Sequence, residues 1–116
     1  MNDMNIGVNG IGEVVLTLQA ETAVELGDLV TLKSNGLVQK AAADADPIGV
    51  CVSRNGAYAG VQVKGGAVLP CTDTTLTVGY TPVKATAAGG IAKATAGVSR
   101  LVVAVDSSAK TAEILL

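Results

Sequence analysis

The feature that most restricts this chain is its punctuation. Short β-branched and apolar runs recur along it, each cut off by glycine, proline or an Asn-Gly pair. Val14-Val15-Leu16-Thr17-Leu18 is the first run, and Leu29-Val30-Thr31-Leu32 the second. Ser34-Asn35-Gly36 separates that run from Leu37-Val38, and Asn-Gly between two such runs is a strong hairpin signal. The type I′ turn this predicts needs positive φ at both central residues. Asp46-Pro47 precedes Ile48-Gly49-Val50-Cys51-Val52, and Asn55-Gly56 marks another turn. Val61-Gln62-Val63-Lys64 alternates as a half-buried strand does. Ala67-Val68-Leu69, Leu76-Thr77-Val78, Val83-Lys84-Ala85 and Ile91-Ala92-Lys93-Ala94 follow. Leu101-Val102-Val103-Ala104-Val105 reads as the most buried run, and a closing strand spans 111–116. Runs at this spacing predict an all-β domain, a compact small barrel or sandwich of about ten or more short strands. Little helix is expected. Ala41-Ala42-Ala43-Asp44-Ala45 could make one turn before Asp46-Pro47 ends it, and residues 20–26 are the other ambiguous stretch.

Composition narrows the chemistry. The 116 residues contain no His, Trp or Phe and only two Tyr, with 8 basic and 10 acidic side chains. Without His, the usual proton shuttle near neutral pH and the commonest metal ligand are missing. Ser-His and Cys-His nucleophile pairs are excluded with it. A net charge of -2 with scattered Lys and Arg argues against nucleic acid, which calls for a basic footprint and stacking rings. The expectation is a protein that is no enzyme, takes no cofactor or metal, acts on no small-molecule substrate and binds other protein.

Cys51 and Cys71 are too few for a disulfide scaffold. A bridge between them is open, but their apolar neighbours favour buried thiols. The N-terminus shows no basic region followed by an apolar one, so no signal peptide is expected. No run approaches the ~20 apolar residues of a membrane span.

Two organisational features stand out. Residues 1–12 hold three Asn and three Gly with isolated Ile6, Val8 and Ile11, and read as an extended N-terminal arm ahead of a single β domain over 13–116. Residues 28–52 also match 81–105 at an offset of 53 positions. Val30 falls on Val83, Gly36 on Gly89, Lys40 on Lys93 and Val50 on Val103. An Ala- and Val-rich chain produces some such matches by chance. As a repeat, they predict a pseudo-symmetric barrel of two similar hairpin units.

Candidate motifs carry less. Gly7-Val8-Asn9-Gly10-Ile11-Gly12 invites a dinucleotide reading, but the third glycine position is Val15 and a strand pattern follows where a helix is needed. Lys64 is the one candidate for a lipoyl- or biotinyl-like carrier lysine, with neighbours that do not match. Asp44 and Asp46 could open a calcium loop, yet the later ligands are absent.

Read as one string, residues 20–70 carry a resemblance. Ala23-Val24-Glu25-Leu26-Gly27-Asp28-Leu29-Val30 is followed by Asn35-Gly36-Leu37-Val38 and an Ala-rich loop. Pro47-Ile48-Gly49-Val50, Ala59-Gly60-Val61-Gln62-Val63 and Gly66-Ala67-Val68-Leu69-Pro70 complete it. This order resembles the small capsid cement, or head decoration, proteins of tailed bacteriophages. The second half fits through Val78-Gly79 and Ile114-Leu115-Leu116, though its spacing departs from that family. The resemblance implies a compact β domain, usually a homotrimer, made in the bacterial cytoplasm and seated on the outer surface of the virion. There it would lock the major capsid protein where capsomers meet. Met1, Asn2, Met4, Asn5, Ile6, Val8 and Ile11 are the candidate interface, because an arm can add a strand to a neighbour's sheet edge. The alternatives are another virion β module, such as a head-fibre base, tail or baseplate component, or the carrier domain.

Overall fold

The structure is a computed structural model and describes residues 11–116. The apolar runs form ten strands: β1 (Val14–Ala20), β2 (Leu29–Ser34), β3 (Leu37–Lys40), β4 (Gly49–Asn55), β5 (Tyr58–Lys64), β6 (Gly66–Pro70), β7 (Gly79–Ala85), β8 (Ile91–Lys93), β9 (Ser99–Asp106) and β10 (Thr111–Leu115). The protein is all-β, and the described residues contain no helix. The arm expected over residues 1–12 falls almost wholly outside them.

The strands make two assemblies. β1 to β5 close into a barrel in the order β1-β3-β2-β4-β5, while β6 to β10 form a sheet in the order β6-β10-β9-β7-β8. Every strand pair is antiparallel except β1 with β3, which run parallel with Gln19 opposite Leu37 and Ala20 opposite Val38. That short pairing closes the barrel. Gln19 donates its N–H to the Gly36 carbonyl at 2.9 Å, and Glu21 donates to the Val38 carbonyl at 3.0 Å.

The two assemblies have the same internal wiring. The offset of 53 carries each of β1 to β5 onto β6 to β10 in turn. β3-β2-β4-β5 in the barrel becomes β8-β7-β9-β10 in the sheet. Side-chain placement follows: Val30, Val38, Ala59 and Val61 are fully buried, as are Val83, Ile91, Ala112 and Ile114 at the matching positions. The backbone follows too, since Ala41 donates to the Leu29 carbonyl as Ala94 does to Pro82. The halves differ at the seam. β6 and β8 form no ladder, and the Asp73 carboxylate accepts the Lys93 N–H at 2.9 Å instead.

The core falls into two clusters. One is internal to the barrel and includes Val30, Val38, Cys51 and Val61. The other is built on the second half but takes in Leu29 and Val50 of the first. Those residues alternate with Val30 and Cys51, so one face of β2 and β4 fills the barrel and the other contributes to the second core.

Local expectations need three corrections. Leu76-Thr77-Val78 is not a strand. Asp73 accepts the N–H and hydroxyl of Thr75, a turn that lifts the chain off the sheet and leaves Leu76 as a buried plug. Residues 41–45 form no helical turn, for Asp44 has a φ of 68° and its N–H reaches across to the Ala85 carbonyl at 2.9 Å. The Asn35-Gly36 turn is not type I′. Only Gly36 has positive φ, and the β2–β3 register shifts between Leu32 and Ser34, so a bulged turn joins the strands.

Candidate interaction surface

The surface that departs most from a closed β fold is β1. It pairs with β5 from Val14 to Gln19, but meets β3 only at its last two residues. Gln19 donates across the β3 side. Alternation along a strand aims the backbone groups of Thr17 and Val15 at the same edge. No strand among the described residues pairs with that edge over 14–18. Val14, Val15 and Leu16 are all exposed, so consecutive apolar side chains meet solvent on both faces of one strand. A free, apolar strand edge is a ready template for another chain.

The root of the arm lies beside it. Gly66 donates its N–H to the Ile11 carbonyl at 2.8 Å, and Leu116 donates to the Gly65 carbonyl at 2.9 Å. Gly65 has a φ of 97°, and a Cβ there would stand 2.5 Å from the Ile11 carbonyl oxygen. The link between the two halves, the C-terminus and the start of β1 thus meet at one glycine. Of the candidate interface residues, Ile11 is placed here and exposed. Met1, Asn2, Met4, Asn5, Ile6 and Val8 lie outside the described residues, as do Gly7 and Gly10 of the glycine motif.

The outer face of β1, β5 and β4 carries a shallow cleft of about 300 Å³ lined by Thr17, Ser53, Asn55, Tyr58, Ala59 and Gly60. Gly60 creates it. The Ser53 hydroxyl lies where a Cβ on Gly60 would stand, so the strand has no side chain between Thr17 and Ser53. The run analysis did not single out this cleft, because Gly60 reads there as one more small residue in a strand.

The other candidates resolve separately. Cys51 and Cys71 are both free and buried. Burial pushes both thiols up from their ordinary pKa, against weak bonds from each Sγ to the Ser53 and Asp73 carbonyls. Lys64 is an exposed residue at the end of β5. Asp46 accepts the Val98 N–H at 3.4 Å, and the nearby Arg100 donates to the Pro47 carbonyl at 2.6 Å. The Asp44–Asp46 loop therefore ties the two halves together. Comparison with protein-family models, curated proteins and solved structures gives no match.

Proposed function

We propose that this chain is a structural capsid decoration, or cement, protein of a tailed phage. It binds the major capsid protein on the outside of the head, between capsomers, as a trimer, and works by contact without chemistry of its own. The observation that carries the reading is β1, exposed and apolar on both faces, whose edge no described strand pairs over 14–18 and which starts just past the turn at Ile11-Gly12. Main-chain hydrogen bonds along such an edge give affinity with little demand on the partner's side chains. Copies repeated around a shell turn weak single contacts into avidity. The resemblance of residues 20–70 to the decoration family supplies the partner.

The test is co-sedimentation with expanded and unexpanded heads, followed by heat challenge. Expanded heads should carry the protein down and resist heating better. Heads that neither pellet the protein nor gain heat resistance overturn the reading. Antibody label confined to the tail or baseplate would assign the chain to another virion module.

A further inference from the structure

The two halves of the molecule share one strand order but not one exposure pattern, and the differences are systematic. Val14, Leu16 and Leu32 of the first half are 43%, 45% and 53% exposed. Their counterparts at the offset of 53, Ala67, Leu69 and Ala85, are 4%, 2% and 3% exposed. The imbalance reverses at a second set of positions. Leu29 and Val50 of the first half are 3% and 7% exposed, while their counterparts Pro82 and Val103 are only half-buried.

The cause is the contact between the halves. Ala67, Leu69 and Ala85 lie in the core cluster that takes in Leu29 and Val50. In effect, the outward face of β2 and β4 plugs the rim of the second half. The backbone completes the joint, with Asp44 donating to Ala85 and Ala85 donating to the Ala45 carbonyl, both at 2.9 Å. At the equivalent rim of the first half, Val30 accepts the Ile48 N–H. Alternation puts the N–H and carbonyl of Leu32 on that same edge, where no described strand pairs with them. The segment matching Asp44-Ala45 is Gly97-Val98. Gly97 shares the positive φ of Asp44, at 122° against 68°, but Val98 donates to Asp46 and accepts the Val83 N–H within the chain, both at 3.4 Å.

We propose that a second copy of this chain fills the open rim. Its Pro82 and Val103 face packs on Val14, Leu16 and Leu32, continuing between molecules the interface that already joins the two halves. The rim belongs to the first half and the plug to the second, so a contact that repeats the internal joint is head-to-tail. Such contacts close into rings or run on as filaments. The inference stands on this chain's own repeat; it shares Val14 and Leu16 of β1 with the capsid reading and gives that reading's self-association an interface.

Complementation tests it. Light-scattering mass should show wild-type assemblies of two or more 11.5 kDa chains. Leu16→Glu, lacking a rim, and Val103→Glu, lacking a plug, should each be monomeric. An equal mixture should form a two-chain species, because one intact rim and one intact plug remain. Leu32→Glu is the second rim variant, and circular dichroism establishes that each variant is folded. A wild type that stays monomeric at its highest soluble concentration overturns the inference. So does a folded Val103→Glu protein that assembles like wild type. A monomer in which deleting residues 1–10 exposes Leu16 to an apolar dye assigns the rim to the chain's own terminus, with the same result. Monomers that bind heads remove this interface and the trimer and leave head binding; assemblies that ignore heads keep the interface and remove the capsid reading.

Discussion

At the scale of single residues, a few positions are over-determined. Gly65 combines a left-handed backbone with a carbonyl in the space a side chain would fill. Gly65→Ala should therefore cost about 1–3 kcal/mol, read from urea unfolding, and should loosen the Gly66–Ile11 bond. Asp73 is tuned by hydrogen bonds. The Thr75 hydroxyl first, then the Thr75 and Lys93 N–H groups, hold its carboxyl below the ordinary value. A lowered pKa in the folded state means that the ionised form stabilises the fold. That contribution is complete above the unfolded carboxyl value of ~3.9 and lost as pH falls through the lower folded value. The stability gap between wild type and Asp73→Asn should be widest at neutral pH and should shrink below about pH 4. A gap that widens in acid would contradict this assignment. Cys51 and Cys71, buried with raised pKa, should react slowly with an aromatic disulfide reagent in the native protein. Both should react at once in denaturant, without reductant.

At the scale of elements, the strands were legible because alternation and turn residues coincide. Val61-Gln62-Val63 and Leu101-Val102-Val103-Ala104-Val105 fall inside β5 and β9. The misreadings share one cause, a tertiary contact outbidding a local pattern. Leu76-Thr77-Val78 has strand composition, yet the Asp73–Thr75 turn diverts it so that Leu76 can fill the core. Alanines 41–43 have helix propensity, yet Asp44 turns left-handed to bond Ala85, a residue 41 positions away. The open edge of β1 could not be read locally, because pairing partners are a property of topology. The cleft over Gly60 was hidden for the same reason. Deleting residues 1–11 removes no residue of either described core cluster and costs the described bond from Gly66. The truncated protein should keep its β-type circular dichroism and lose head association. Unfolding on truncation would instead make the arm part of the fold.

At the scale of the whole molecule, the closed barrel and the open sheet are unequal. The barrel has a core made only of its own residues, whereas the second core incorporates Leu29 and Val50 from across the joint. Stability should therefore flow one way. Leu29→Ala removes a plug that the barrel interior does not use, so its cost falls mainly on the second half, at about 2–5 kcal/mol. Leu69→Ala opens the same cluster from the other side. Two truncations far apart would add, but two that open one shared cavity should not, and a coupling of about 0.5–3 kcal/mol is expected from the double-mutant cycle. Hydrogen exchange locates the loss. In Leu29→Ala, amides of β7, β9 and β10 should exchange faster while those of β1 and β5 hold. Strict additivity, or equal acceleration in both halves, would mean that the halves do not lean on each other through Leu29. The barrel and the sheet would then be independent units joined by little more than the Gly65 link.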